Sequence, residues 1–163
     1  VHALQVAASA GANVISFTSS PHKLGELEAL DIGQVFLSEE GIDPSELVHA
    51  FTEDRGADIV FNPVGSALFH SSVSSVALFG KILILGEVER ANTSINVTEF
   101  MFRDASLIGS TGADIANIRK AIELVDSGSV RPIIGSILGF EDLLEAYTLV
   151  KTRQPIGRVV LRP

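Results

Sequence analysis

Residues 55–87 read RGADIVFNPVGSALFHSSVSSVALFGKILILGE, and this stretch indicates the fold class. Its two ends, DIVFNPV at 58–64 and KILIL at 81–85, are apolar runs of the kind found in strands buried on both faces. The segment between them, residues 67–79, is predicted to be a helix that ends at Gly80, because glycine commonly ends helices. A strand, a helix and a second strand in this order predict a crossover unit on a parallel sheet.

The same alternation continues on both sides of this stretch. Further strands are predicted at residues 13–17, 34–37, 106–110 and 158–161. Helices are predicted before Gly11, after the caps Ser20-Pro21 and Asp43-Pro44, from Ile115 to Gly128, and at 141–151. The helix after Asp43 is expected to bury Leu47, Val48 and Phe51. We therefore expect an α/β fold with a doubly wound parallel sheet, followed after residue 128 by a region in which glycines and Pro132 interrupt the pattern.

The composition narrows the classes of function. The chain has 163 residues, 46% of them hydrophobic, which is enough for one globular core. Its net charge is −8, from 12 basic and 20 acidic residues, so no nucleic-acid partner is expected. It has no cysteine and no apolar run near about 20 residues, so we expect no disulfide, no membrane span and a cytoplasmic location. Because the chain starts at Val1 inside a predicted helix, we expect that its N-terminus has been lost.

Five segments, in order along the chain, carry a family resemblance. They are ALQVAASAGANVISFTSSPHKL (3–24), RGADIVFNPVGSALFHSSVSSVALFGKILILGE (55–87), LIGSTG (107–112), AIELVDSGSVRPII (121–134) and GRVVLRP (157–163). Together they resemble the medium-chain dehydrogenase/reductase superfamily, which includes quinone oxidoreductases and zinc-type alcohol dehydrogenases. The resemblance implies a Rossmann-type dinucleotide-binding domain over residues 1–128 that lacks its first strand. It also implies that residues 129–163 return to a catalytic domain outside this sequence.

The resemblance also implies an activity. It points to the NADP(H)-binding part of an oxidoreductase that transfers hydride between the nicotinamide and a quinone, enone, aldehyde or alcohol. Catalytic residues and any zinc are expected outside this sequence, so no catalytic residue is named and the chain alone is expected to be inactive. The alternatives are a non-catalytic NADPH-binding sensor and a structural interaction module.

The turn after the second strand of the family domain bears on the choice of cofactor. An acidic residue there would accept hydrogen bonds from a ribose 2′-hydroxyl, whereas basic or hydroxyl side chains accommodate a 2′-phosphate. Here the turn holds Thr18, Ser19 and Ser20, with Lys23 close behind and no carboxylate. The residues therefore favour NADP(H) over NAD(H). The alternative is that Ser20 only caps a helix and that Lys23 is a solvated surface charge.

Two other strand ends and one arginine are further candidates. Ligands in open α/β sheets bind at the carboxyl ends of strands. The resemblance implies that the cofactor lies beside the ends of two further strands and near one basic residue, that is, beside Asn62, Val64, Gly65, Leu85, Gly86 and Arg158. Gly86 would allow a close approach of the cofactor. The alternatives are that Gly65 and Gly86 are ordinary turn glycines and that Arg158 is a surface charge.

Other chemistry is not predicted in this chain. The histidines are scattered over predicted helices and none pairs with another ligand at helical spacing, so no metal site is expected among His2, His22, His49 and His70. The serines lack the G-x-S-x-G pattern of a nucleophile elbow.

One strand is predicted to mediate association. The strand from Ser106 to Ser110 is apolar and uncharged, and the resemblance places it at a sheet edge. Such an edge is a template for pairing with another chain. We therefore expect a homodimer formed through this strand, with a small molecule as the other partner.

Overall fold

The computed structural model describes residues 1–39 and 41–163, and in this part of the chain strands and helices alternate. The strands are β1 (Ile15–Thr18), β2 (Gln34–Leu37), β3 (Ala57–Asn62), β4 (Val76–Ile84), β5 (Ser106–Gly109), β6 (Ile134–Gly139) and β7 (Arg158–Arg162). The α-helices are α1 (His2–Ser9), α2 (Pro21–Glu28), α3 (Pro44–Phe51), α4 (Phe69–Ser75), α5 (Val97–Arg103), α6 (Ile115–Asp126) and α7 (Leu143–Lys151). Short 3₁₀ turns precede α4 and α7, at Ser66–Leu68 and Phe140–Asp142.

Every strand pair in the described chain is parallel, which confirms the predicted α/β class. β1 pairs with β2, β3 with β4 and β4 with β5, and β6 pairs with β7 in a separate sheet. The sheet of a complete doubly wound fold has its strands in the order 3-2-1-4-5-6, numbered along the complete domain. Without strand 1, this sheet falls into one part with strands 3 and 2 and another with strands 4, 5 and 6. The pairings β2-β1 and β3-β4-β5 are these two parts.

The chain divides into two units. The first unit contains Val1–Leu37 and Asp114–Pro163, and the second contains Ser38–Ala113. In the first unit, α1 is tied to the segment after α6 by a buried glutamine. Gln5 Nε2 donates to the Arg131 carbonyl at 3.0 Å, and the Arg131 amide donates back to Gln5 Oε1 at 2.6 Å. The Ile133 amide donates to His2 Nε2 at 3.2 Å, which strengthens the same link.

The second unit has its own apolar core. Phe69 and Val73 of α4 pack with Val76 and Ile82 of β4, and Ile82 is fully buried. The expected burial of the runs at 58–64 and 81–85 on both faces is wrong, because Ile59, Phe61 and Leu85 are 62%, 45% and 43% exposed. None of the helices in the described residues is long and apolar enough to cross a membrane.

The predicted helix over residues 67–79 is wrong over its last four residues. The helix α4 ends at Ser75, and β4 already begins at Val76 and passes through Gly80. The residues from 76 to 79 are apolar, so their sequence suits a helix or a strand, and pairing with β3 decides for the strand. The register shifts within this stretch, from Ala57 opposite Val76 to Ile59 opposite Lys81, which marks an irregularity in the ladder.

Two smaller differences concern α3 and the end of the chain. Asp43 caps α3 as predicted, because its carboxylate accepts from the Ser45 amide at 2.9 Å. Val48 is buried, but Phe51 is 52% exposed, so its predicted burial is wrong. The region after residue 128 contains a strand that the sequence did not predict, β6, which pairs with β7.

Candidate functional site

The turn between β1 and α2 presents hydroxyl groups at the start of a helix. Thr18 is the last residue of β1, and its Oγ1 accepts a hydrogen bond from the Ser20 amide at 3.2 Å. Ser20 is the N-cap residue of α2, but its side chain makes no capping hydrogen bond, and Ser19 is exposed. Because Thr18 accepts in this bond, its own hydroxyl hydrogen remains available for a ligand.

Lys23 lies between two cavities of the first unit. The strand-end cavity, of about 280 Å³, contains Thr18 and Lys23 in its wall. The cation cavity, of about 300 Å³, is lined by Lys23, Arg153 and Arg158 together with apolar residues. The two cavities share Lys23, Pro155 and Gly157. The structure thus brings together Thr18, Lys23 and Arg158, which the sequence analysis named, and adds Arg153, which it did not.

The charge around these cavities is positive. None of the described residues that line either cavity is a carboxylate. The two ion pairs found in the described chain are Arg55 with Asp58 and Arg103 with Glu99, so the three cations of the cation cavity have no carboxylate partner there. In a chain with a net charge of −8, this is a local reversal of sign. Such a cluster favours an anionic ligand.

The field of Arg158 also reaches His2. Burial lowers the pKa of His2 from 6.5, and the positive charge of Arg158 lowers it further. The neutral form of His2 is the one that can accept from the Ile133 amide through Nε2. The positive charge of Arg158 therefore favours the protonation state that this contact needs.

In the second unit, the loop after β3 is built around a buried asparagine. Asn62 is only 2% exposed, and its Oδ1 accepts from the amides of Val64 and Gly65 at 2.9 and 2.8 Å. Its Nδ2 donates to the Gly65 carbonyl at 3.0 Å and to Ser72 Oγ at 3.1 Å. These four hydrogen bonds use the whole capacity of the amide, so the side chain of Asn62 shapes this loop.

The loop after β4 packs directly on the loop after β3. A Cβ on Gly86 would meet the Pro63 carbonyl oxygen, so the close approach seen at Gly86 is to this chain's own backbone. Gly65 has φ +93°, a conformation that L side chains rarely adopt, and a Cβ there would contact Gly86 and Glu87. Both glycines are required by the turn itself. Leu85, in contrast, is 43% exposed, and Val64 is partly exposed.

Hydrogen bonds to the Glu87 carboxylate link the two loops, a role that was not predicted from the sequence. Its carboxylate accepts from the amide and the hydroxyl of Ser66, both at 2.8 Å, and from the amides of Glu89 and Arg90 at 3.0 Å. The hydrogen bonds from Ser66, and then those from the two following amides, lower the pKa of Glu87. An acidic residue directly after a strand end was the available sequence signal, but its partner lies 21 residues away.

The described residues contain no group of three or more His, Asp or Glu side chains that could hold a metal ion. His22 contacts the carbonyl of Gln154 through Nε2 at 3.3 Å, and His49 contacts that of Ser74 at 2.9 Å. These two histidines therefore contact backbone carbonyls.

Comparisons with known proteins identify the family. The sequence model of the zinc-binding dehydrogenase family matches residues 1–127. An acryloyl-coenzyme A reductase of Metallosphaera sedula is 27% identical over 166 residues, which cover 99% of this chain and 46% of the relative. The chain therefore spans about half the length of this relative.

Solved structures agree with this assignment. The crystal structure of AibC matches with a TM-score of 0.90 at 27% identity, over 99% of this chain and 45% of the other. The crystal structure of an NAD-dependent alcohol dehydrogenase matches with a TM-score of 0.86, also at 27% identity, over 99% of this chain and 47% of the other. The chain therefore belongs to the zinc-binding dehydrogenase family, within the medium-chain dehydrogenase/reductase superfamily.

Proposed function

We propose that this chain is the NADP(H)-binding part of an oxidoreductase that transfers hydride between the nicotinamide and a quinone, enone, aldehyde or alcohol. The observation that supports the proposal is the position of Thr18, at the end of β1, and Lys23 in the wall of the strand-end cavity, since Lys23 also lines the adjoining cation cavity with Arg158. The cofactor, when bound, supplies the hydride, while the protein binds and orients it.

The first unit supplies charge and hydrogen-bond donors. In doubly wound folds the residues after this strand distinguish a ribose 2′-hydroxyl from a 2′-phosphate. Thr18 can donate its hydroxyl proton, and Lys23 provides an ammonium group where a carboxylate would repel a phosphate. The similar alcohol dehydrogenase is NAD-dependent, so the proposed preference for NADP(H) depends on these residues and not on that relative.

The second unit supplies shape. We propose that the backbone at Asn62, Val64, Gly65, Leu85 and Gly86 lies beside the cofactor, as the family resemblance implies. Its loops are rigid because Asn62 and Glu87 satisfy their amides internally. Exposed Leu85 offers an apolar contact at the same edge. The described residues do not fit a zinc site, so no step is derived through zinc and no catalytic residue is named.

The test is a titration of the complete protein with NADPH and with NADH. For Lys23→Ala we expect NADPH binding to weaken about tenfold or more, because a charge-assisted hydrogen bond to phosphate is lost, with NADH changed much less. Thr18→Asp should act in the same direction, because it places a carboxylate beside the phosphate. Lys120, which is exposed on α6 and lines neither cavity, gives the matched control Lys120→Ala.

Equal losses for the two cofactors in Lys23→Ala would contradict the role given to this residue. Turnover is measured with the same protein, by following NADPH oxidation with quinones, enones and aldehydes and NADP⁺ reduction with alcohols. Binding without any turnover would favour the non-catalytic sensor over the enzyme.

We also propose that the protein forms a homodimer through β5. In the described chain β5 pairs only with β4, and Leu107 and Ile108 are 40% and 39% exposed. An apolar strand with an unpaired edge can extend its sheet onto a second copy. Sedimentation equilibrium should show a dimer that Ile108→Lys converts to a monomer. A monomer in both proteins would contradict the proposal.

A further inference from the structure

Three hydrogen bonds join α1 to residues 131–133, the segment that leads into β6. Two of them are made by Gln5, whose amide does not titrate, and the third by His2. We propose that His2 is a pH-sensitive switch in the first unit, because it binds this segment only while its ring is neutral. On mild acidification, protonation of the ring breaks the contact and loosens α1. This inference goes beyond the proposed function, since it involves no cofactor.

The geometry of the contact defines the protonation state of the ring. The Ile133 amide donates to His2 Nε2 at 3.2 Å. A ring nitrogen accepts a hydrogen bond only through its lone pair, so the proton of the neutral ring is on Nδ1. In the imidazolium both ring nitrogens are donors, and two N–H groups would then point at each other. Protonation of His2 therefore removes an attraction and adds a repulsion.

Two other histidines make contacts that respond differently to protonation. His22 Nε2 lies 3.3 Å from the Gln154 carbonyl oxygen, and His49 Nε2 lies 2.9 Å from that of Ser74. A carbonyl oxygen is an acceptor, so a protonated ring can still donate to it. The contact of His2 differs from these two because its partner is a donor.

The backbone of Ile133 is fixed on its other side. Its carbonyl accepts from the Arg158 amide at 2.9 Å, at the start of β7. Gly157 has φ +82°, and a Cβ there would meet the same carbonyl, so the segments before β6 and β7 are in close contact. Ile133 therefore cannot turn away from a protonated His2 without disturbing this contact. The response to protonation falls on α1.

The charged groups on the strands near His2 are positive. Neither α1 nor the strands β6 and β7 contain an aspartate or a glutamate. The charged side chains of residues 131–133 and of these two strands are those of Arg131, Arg158 and Arg162. None of them can stabilise an imidazolium.

The helix α2 adds a further positive charge. Its Lys23 lines the strand-end cavity together with Leu4 of α1, whereas its two carboxylates, Glu26 and Glu28, do not line this cavity. Burial lowers the pKa of His2 from 6.5, and the positive charge of Arg158 lowers it further. These surroundings therefore favour the neutral ring, which the contact with the Ile133 amide requires.

Acid should weaken this contact progressively. Because the pKa of His2 in the folded state is below 6.5, the unfolded chain binds the proton first as the pH falls. The stabilisation from the contact is fully present above pH 6.5, and it is lost as the pH falls through the lower pKa of the folded state.

Hydrogen exchange of the Ile133 amide in the complete protein tests the proposal. The exchange rate of an unstructured chain, divided by the measured rate at the same pH, gives a protection factor, which removes the direct effect of pH on exchange. From about pH 7.5 to about pH 5 we expect this factor to fall about tenfold. The internal control is the Val64 amide, which donates to Asn62 in the second unit and whose protection should change less than about twofold.

Three variants separate the sensor from its surroundings. In His2→Gln, an uncharged acceptor that does not titrate can take the place of Nε2, so the protection of Ile133 should change less than about twofold over this range. The matched control His22→Gln removes a ring from the same unit but leaves the contact in place, so the fall should remain. Arg158→Gln removes a positive charge and should shift the fall to higher pH.

The ring nitrogen resonances of the unmodified protein give a measurement that needs no variant. At neutral pH, His2 Nε2 should show the signal of an unprotonated nitrogen, because it accepts from the Ile133 amide. This signal should change to that of a protonated nitrogen over the same pH range in which Ile133 loses its protection.

Constant protection of Ile133 in the unmodified protein would overturn the inference. An equal fall in His2→Gln would also overturn it, because another group would then be the sensor. A protonated Nε2 at neutral pH would overturn it without any variant. These outcomes leave the proposed function intact, since that function is tested by cofactor binding.

Discussion

The strand end at β1 and the strand end at β3 differ in how their polar groups are used. At β3, the amide of Asn62 makes four hydrogen bonds, all of them within this chain. At β1, Lys23 and its neighbours Arg153 and Arg158 line a cavity without a carboxylate partner in the described residues. Strand-end residues of this fold therefore act in two ways. Those that are internally satisfied fix the shape of a surface, and those that are not remain available to a ligand.

The largest expected effect is on stability, at the end of β3, where the hydrogen bonds of Asn62 are made within the chain. Asn62→Leu should lower the free energy of unfolding by about 3 kcal/mol, because the amides of Val64 and Gly65 lose their acceptor in a buried loop. Chemical denaturation measures this change. Ser72→Ala, which removes one of the four bonds to Asn62, should cost about 1 kcal/mol. A loss below about 1 kcal/mol in Asn62→Leu would mean that the loop does not depend on this network. The two strand ends would then not differ in the way described.

A smaller effect is expected where the two loops of the second unit touch. Gly86→Ala should lower the free energy of unfolding by about 2 kcal/mol, because the new Cβ meets the Pro63 carbonyl oxygen and the backbone must move. Gly25→Ala is the matched change, since Gly25 lies inside α2 with no atom within 4 Å of its Cβ position. It should raise the stability by about 0.5–1 kcal/mol. Equal effects of the two substitutions would show that the loops are not in close contact.

The smallest expected effect is the pH dependence of the stability that Glu87 contributes by linking the two loops. The pKa of Glu87 is lowered from 4.5 in the folded state by its hydrogen bonds to Ser66 and to the amides of Glu89 and Arg90. The unfolded state therefore binds the proton first as the pH falls. The stabilisation is present above pH 4.5, and it is lost as the pH falls through the lower pKa of the folded state. Unfolding of the unmodified protein and of Glu87→Gln should differ at neutral pH and converge in acid. A difference that persists in acid would contradict this origin.

Local patterns were enough to predict several elements. The strand β2 has the predicted bounds, and the helix α6 begins at Ile115 as its apolar spacing indicated. The Asp43 cap was also predictable, because its acceptor and the Ser45 amide are two residues apart. In each case the residues that decide the structure are neighbours in sequence.

Elements that depend on distant residues were predicted poorly. The start of β4 at Val76 depends on its pairing with Ala57, and Gly80 is inside the strand, where a Cβ would meet the Val76 side chain. The strand β6 was missed because it is stabilised by β7, about 20 residues later. A single sequence does not contain these pairings in a readable form.

The candidate site shows the same division. Thr18 ends β1 and Lys23 lies in the first turn of α2, so their place was predictable from the strand and the helix start. The location of Arg153 was not, because it depends on the left-handed ending of α7 and on the contact between His22 and Gln154. The role of Glu87 depends on Ser66 in the same way.

The buried amide of Asn62 has a consequence for hydrogen exchange. An amide proton exchanges with deuterium only when its hydrogen bond opens, and surface turns normally exchange quickly. The amides of Val64 and Gly65 both donate to Asn62 Oδ1, and the Leu85 and Val88 amides donate to the carbonyls of Asn62 and Val64 at 3.0 and 2.9 Å. These turns therefore open together with the ends of β3 and β4, and their protons should be protected for as long as those of the sheet.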